Sequence, residues 1–208
     1  EERKREAHEE AKSYFNLASS YTRERPILIV MCGLIGTGKT EIAKRLSRWL
    51  FMEVVSSDYI RKHLASIPPH EHRFEDFSKG IYSQEFTKKT YNTLFDIARE
   101  RLLAGRSVLL DASFRRRRDR QMAQELAKER GADFLLIECQ CRDDEVKRRL
   151  SNRMREEGVV SDGRLQIYDA IKKEFEEISE IPEKNHIVLH TDRPVDEVIT
   201  ALKKEIPL

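Results

Sequence analysis

Apolar residues along this chain follow two rhythms, short unbroken runs alternating with stretches where they recur every three or four positions. Ile27-Leu28-Ile29-Val30-Met31-Cys32, entered through Pro26, is an unbroken run of the kind a strand buried on both faces requires. Val108-Leu109-Leu110, closing on Asp111, and Phe134-Leu135-Leu136-Ile137 repeat the pattern; Met52 to Ser56 and Ile187 to Leu189 are shorter versions. Amphipathic segments lie between them. Ile42, Ala43, Leu46, Trp49 and Leu50 share one side of a helix, with Lys44, Arg45, Ser47 and Arg48 opposite. Ser83 is placed to cap a long helix running to about Ala104, with Phe86, Tyr91, Leu94, Phe95, Ala98 and Leu102 roughly on one face and Gly105 ending it. Further helices are predicted from about Arg116 to Arg130, with Met122, Ala123, Leu126 and Ala127 inward, from Val146 through Leu150, from about Leu165 to Ile178, and from Pro194 through Leu202. Strands alternating with helices predict an α/β fold, a parallel sheet covered on both faces, with its ligand at the carboxyl ends of the strands.

Other segments are less regular. Tyr59 to Leu64 predicts one or two helical turns with Asp58 near their start. Ile67 to Lys79, with Pro68-Pro69, predicts a long functional flap, and the polar stretch Ser151 to Arg164, with Gly158 and Gly163, a mobile segment. Residues 1–25 carry a thin stripe of Ala7, Ala11, Tyr14, Phe15, Ala18 and Tyr21, which predicts a lead-in helix or linker before a domain over 26–208. The first residue is Glu1 rather than a methionine, so the expectation is a piece of something longer.

A chain of 208 residues suits one such domain with a sizeable core. The 39 Lys and Arg nearly balance the 37 Asp and Glu, and a net charge of +2 gives little field for holding bulk nucleic acid, so any nucleic-acid role is local. No apolar run is long enough to span a bilayer and no signal-peptide pattern opens the chain, which predicts a cytoplasmic protein with no membrane partner. Three cysteines argue against a disulfide framework; Cys32 and Cys139 sit in strand-like runs and Cys141 just beyond one, as buried thiols do.

The chemistry centres on Gly33-Leu34-Ile35-Gly36-Thr37-Gly38-Lys39-Thr40, which fits G-x-x-x-x-G-K-[ST] at every specified position and joins a buried strand to an amphipathic helix. Gly33, Gly36, Thr37 and Gly38 let successive backbone N–H groups turn inward around a phosphate. Lys39 reaches its terminal oxygens, Thr40 offers a hydroxyl to a metal ion, and the helix dipole adds positive potential.

Asp111 ends an apolar strand where a second metal-holding carboxylate is expected. Asp58 follows another strand and would reach the same rim as Lys39, placed to accept the proton of an attacking hydroxyl, with Arg61 one helical turn on. As bare sequence, Asp58 and Arg61 read equally as a helix cap and a solvated side chain. Arg149 and Arg153 lie at i and i+4 on one helix face and can close over a transferring phosphoryl group; Arg148 and Arg155 are near enough to compete for the assignment. The run Arg115-Arg116-Arg117-Arg118, with Arg120, predicts mostly solvated side chains, one or two of which, Arg115 first, meet an anionic substrate. His70 and His72 flank Glu71 without the partners or spacing of a zinc site.

On these residues the chain resembles the phosphate-loop kinases of small substrates, the group containing gluconate kinase, shikimate kinase, chloramphenicol phosphotransferase, zeta toxins and polynucleotide 5′-hydroxyl kinases. More narrowly, the Gly33 loop, Ser57-Asp58-Tyr59-Ile60-Arg61-Lys62, Leu110-Asp111-Ala112-Ser113-Phe114-Arg115 and Ser161-Asp162 leading to Tyr168 resemble AAA-type ATP-binding kinase domains that often follow an aminoglycoside-phosphotransferase-like domain. The resemblance runs from Pro26 to the end. It implies a P-loop, nucleoside-kinase-like three-layer fold with a five-stranded parallel sheet in order 2-3-1-4-5, a mobile arginine lid over about 149–163, ATP with Mg²⁺, and an acceptor near Asp58 and Arg61. The flap carries no substrate signature, so the acceptor stays open between a small molecule and a nucleic-acid 5′-hydroxyl. A nucleotide-sensing or ATP-hydrolysing module regulating a fused domain is the alternative. No Asn-Lys-x-Asp run supports a GTPase switch and no second signature motif supports a transporter ATPase.

Overall fold

The computed structural model describes residues 25–68, 79–156 and 162–206, the side chains of 153–156 and 162–166 excepted. The lead-in segment, nearly all of the Pro68 to Lys79 flap, with His70 and His72, and the centre of the expected lid fall outside these residues. Five parallel strands form one sheet in the order β2-β3-β1-β4-β5, as the family resemblance implies: β1 (Ile27–Cys32), β2 (Glu53–Ser56), β3 (Val108–Asp111), β4 (Asp133–Gln140) and β5 (His186–His190). β1 is central and all six of its residues are buried, which is why its apolar run has no polar interruption.

Alternation along the strands sorts the core into two layers. Leu28, Val30 and Cys32 face a layer completed by α3 (Gln84–Leu103) and α4 (Arg117–Glu129). Ile27, Ile29 and Met31 face the other, covered by α1 (Lys39–Leu50) and α7 (Val195–Glu205). α2 (Ser57–Leu64) follows β2 directly, and Ser83 caps α3 by accepting a bond from the Phe86 amide at 3.3 Å. A smaller cluster, Val146 and Leu150 of α5 (Asp143–Glu156) with Tyr168 of α6 (Asp162–Lys173), packs on Leu34 and Ile35.

Register sets the position of the site. Ser56 pairs with Asp111 and Asp111 with Met31, so the carboxyl ends of three strands lie in one row, and β4, whose Ile137 pairs with Met31, runs three residues past it. Whatever follows Ser56, Met31 and Asp111 therefore meets at one rim.

The ends of the polar stretch 151–164 are helical, belonging to α5 and α6. One expectation is corrected. The helix expected to run to Ile178 stops at Lys173, because the chain beyond it lies along the arginine run: the Glu176 amide donates to Arg115 O at 2.9 Å, and Arg117 N donates to the Glu176 carboxylate.

Candidate active site

The loop between β1 and α1 is held from both sides. Gly33 adopts φ 136, and a Cβ there would stand 2.5 Å from the carbonyl oxygen of Cys139 on β4, so only glycine fits. Its amide donates to Ser113 O at 3.1 Å. Gly36 and Gly38 are also left-handed. Thr37 is buried and its hydroxyl donates to Leu34 O at 2.8 Å, while the hydroxyl of Thr191, just past β5, donates to Thr37 O at 2.7 Å. Lys39 spans the loop, Nζ donating to Leu34 O at 2.7 Å.

β3 alternation turns Asp111 to the same sheet face as Leu109, toward α1, where Thr40 Oγ1 donates to Asp111 Oδ2 at 2.8 Å. Burial pushes the Asp111 carboxyl above its ordinary range, against the opposing pull of the Thr40 hydroxyl and the Lys39 ammonium. A carboxylate and a hydroxyl converging beside an ammonium are hard oxygen donors of the kind Mg²⁺ takes.

Asp58 stands in the first turn of α2 with its side chain 62% exposed and Lys62 Nζ at 3.4 Å. Arg61 is turned into the protein: it is 8% exposed, donates to Ile81 O and to Thr87 Oγ1 at 3.2 Å, and stacks its guanidinium 5.0 Å from the Tyr82 ring centre. Burial lowers its pKa, with Asp58 among the nearby groups holding it up. Arg115 pairs with Glu174 at 3.3 Å. Arg149 reaches from α5 to the loop, its Nη1 lying 3.5 Å from where a Gly38 Cβ would be; Nε donates to Glu145 at 2.7 Å and Nη2 to Thr191 O. Arg148 also pairs with Glu145, and these arginines hold that carboxyl down to about 2 against the upward pull of desolvation. Arg153 sits one turn beyond Arg149 on α5, and its side chain lies outside the described residues.

The structure therefore brings Gly33, Gly36, Thr37, Gly38, Lys39, Thr40, Asp111 and Arg149 together and places Asp58 at the same rim, while Arg61 and Arg115 engage neighbouring protein groups. The arginine run departs from the solvated expectation at Arg115, which is half-buried against Glu174, and most fully at Arg120. Arg120 is fully buried, paired with Glu180, and continues the stripe of Ala123 and Ala127 at helical spacing. Thr191 is a site residue that the sequence does not single out; its only local signal is its place just after a strand. Cys32 and Cys139 are buried thiols pushed up to about 12 by desolvation, and Cys141 is half-buried. Among the described residues no cluster of three or more His, Cys, Asp or Glu forms a metal site, and no helix is long and apolar enough to cross a membrane.

Residues 28–178 match a family model described as an AAA domain. No curated protein gives a significant match. Solved structures share the fold. A candidate kinase from Chloroflexus aurantiacus J-10-fl is 16% identical over 88% of this chain and 100% of that one, with a TM-score of 0.67. A gluconokinase from Sinorhizobium meliloti 1021 is 16% identical over 88% and 93%, TM-score 0.58. The Mycobacterium tuberculosis APS kinase in complex with AMPPNP and APS is 20% identical over 88% and 98%, TM-score 0.58. At these identities the likeness is one of fold.

Proposed function

This chain belongs to the AAA domain family, with a P-loop, kinase-like ATP-binding fold, and from that premise we propose that it is an ATP- and Mg²⁺-dependent kinase acting on a hydroxyl of a small molecule. The observation that carries the proposal is the convergence of Lys39 and the bonded pair Thr40–Asp111 at one rim, with Asp58 only two residues past Ser56, the strand end that pairs with Asp111. An exposed carboxylate at that place suits the removal of a proton from an acceptor hydroxyl beside the phosphates. The names of the structural neighbours, gluconokinase and APS kinase, support a small acceptor.

In this reading the loop amides and Lys39 hold the β- and γ-phosphates. Thr40 and Asp111 would hold Mg²⁺, which offsets phosphate charge when bound. Asp58 accepts the proton of the acceptor hydroxyl as its oxygen bonds to the γ-phosphorus and the bond from that phosphorus to the bridging oxygen breaks, leaving ADP. Arg149, already beside the loop, and Arg153, one turn further along α5, offset charge gathering on the transferred group. Arg61 serves as a brace, holding the backbone at Ile81 and the start of α3 against α2, and thereby shapes the wall beside Asp58. Arg115 belongs to the same wall, fixed through Glu174.

The test is phosphate transfer from ATP to a panel of sugars, polyols and other metabolites, with 5′-hydroxyl oligonucleotides alongside. Asp58→Asn is expected to lower acceptor-dependent transfer by roughly 10²–10⁴-fold while leaving nucleotide affinity near wild type. ATP turnover that ignores every acceptor and is the same in Asp58→Asn would instead identify a sensing or hydrolysing module. Transfer to oligonucleotides alone would identify the acceptor as a nucleic-acid end.

A further inference from the structure

Arg120 has no direct contact with the phosphate loop, yet its bonds lead there. It is fully buried, and its guanidinium is divided among three partners: Nε donates to Glu180, Nη1 to Phe114 O at 2.9 Å and Nη2 to Glu177 O at 3.1 Å, over the Phe175 ring at 5.9 Å. Phe114 is itself strained. It is a buried aromatic residue with φ 43, a left-handed conformation that only outside forces maintain in a bulky side chain. Those forces are visible on both flanks: its amide donates to Tyr91 Oη at 3.1 Å, its carbonyl receives Arg120, and its ring packs edge-on against Tyr91 at 5.4 Å. The carbonyl just before Phe114, Ser113 O, is turned to the phosphate loop. There it receives the Gly33 amide at 3.1 Å and the Cys32 thiol at 3.4 Å.

We propose that Arg120, clamped by Glu180, is a positioning residue for the phosphate loop: it holds Phe114 in its left-handed turn so that Ser113 O can fix the first glycine of the loop. The segment after α6 is the other half of the clamp, since Glu177 O and Glu180 come from there and Glu176 and Ser179 bind the backbone and side chain of Arg117. Gly33 is thus set between two backbones, Cys139 O on the β4 side and Ser113 O on the β3 side. The consequence for nucleotide affinity rests on the reading that this loop binds nucleotide; the consequence for Gly33 does not.

Two variants separate positioning from mere stability. Arg120→Lys keeps a cation for Glu180 but has no planar fork to serve Phe114 O and Glu177 O together. The double variant Arg120→Met, Glu180→Leu replaces the buried pair by apolar side chains, an exchange that is often neutral or stabilising. Amide hydrogen exchange followed by NMR reads Gly33 directly, with Val30 of β1 as internal reference, and calorimetry reads ATP–Mg²⁺ affinity. In Arg120→Lys, Gly33 is expected to exchange about tenfold faster while Val30 stays as in wild type, with nucleotide affinity reduced about fivefold or more. The double variant leaves Phe114 O and Glu177 O without their Arg120 donor, so it is expected to melt somewhat below wild type while losing Gly33 protection and keeping that of Val30. Wild-type protection of Gly33 in Arg120→Lys would overturn the proposal, whatever the double variant does. Failure of wild-type protein to bind nucleotide would overturn the proposed function and leave the Gly33 result to decide the positioning role.

Discussion

Replacing Gly33 by alanine tests the geometry of the loop without touching any charge. Two costs follow from the structure. A backbone at φ 136 is unfavourable for any residue with a Cβ, by about 1–3 kcal/mol. The new methyl would also stand 2.5 Å from Cys139 O and 3.2 Å from Thr37 Oγ1. The first of these contacts is with β4 backbone, paired with β5 at Leu189 and with β1 up to the preceding residue, so it cannot be relieved by a side-chain rotation. Overpacking of this kind costs about 1–3 kcal/mol more. The sum, centred near 4 kcal/mol, is a large part of the roughly 5–15 kcal/mol that stabilises a domain, and corresponds to a fall of roughly 8–16 °C in melting temperature at this size. Gly105→Ala is the control. Gly105 has φ 68, and nothing lies within 4 Å of the place a methyl would take, so it carries backbone strain alone, about 1–2 kcal/mol. Urea unfolding of both variants should separate them by about 2 kcal/mol. Equal losses, within about 0.5 kcal/mol, would refute the idea that the β4 carbonyl confines the loop.

Two further predictions concern protons. In Asp111 the folded carboxyl titrates above its ordinary value of about 3.9, chiefly through burial, so the fold binds the proton more tightly than the unfolded chain and stability falls as pH rises from that value through the folded one. Asp111→Asn should remove that fall and abolish any Mg²⁺-dependent stabilisation by ATP; a thermal-shift series in pH with and without Mg²⁺–ATP checks both. Glu138 behaves oppositely. Burial alone would raise its pKa, but hydrogen bonds from His186, at 3.0 Å, and Gln140 outweigh it and the net shift is downward. Its contribution is present above about pH 4.3 and is lost as pH falls through the lower folded value, so His186→Gln should cost about 1.5 kcal/mol at neutral pH and start acid unfolding at a higher pH. An acid limb unmoved in His186→Gln would show that the pair contributes nothing.

Much of this architecture is legible in the order of residues because its causes are local. An unbroken apolar run such as Ile27 to Cys32 has one place to go in an α/β domain, and Ser83 finds its helix three residues on. The phosphate loop is similarly self-declaring, since its glycines, Lys39 and Thr40 lie within eight consecutive positions, whereas the groups that fix it, Ser113 O, Cys139 O and Thr191, come from elsewhere. Arg120 and Arg61 are different. Each is an arginine in a polar stretch that burial makes tolerable only through partners supplied from elsewhere: Glu180 sixty positions on for Arg120, Ile81 O and Thr87 for Arg61. Periodicity places Arg120 on the apolar side of its helix, but a run of five arginines within six positions outweighs that hint. The end of α6 escapes the sequence for a related reason. The residues from Glu174 to Glu180 have a helical composition, and they leave the helix because arginines on another element take their carboxylates and backbone.

Thr191 carries a consequence for how the protein comes into being. Its hydroxyl closes the phosphate loop at Thr37 across 154 positions of chain. At a synthesis rate of roughly 5–20 residues per second, the ribosome spends on the order of 10–30 s between making the two halves of that bond. During that interval the glycine-rich turn exists without its closing partner, and for the larger part of it without β4, on which it leans and which is made only from Asp133 onward. The loop therefore gains its full set of contacts only once the chain has passed β5, late in the order in which the sheet is made.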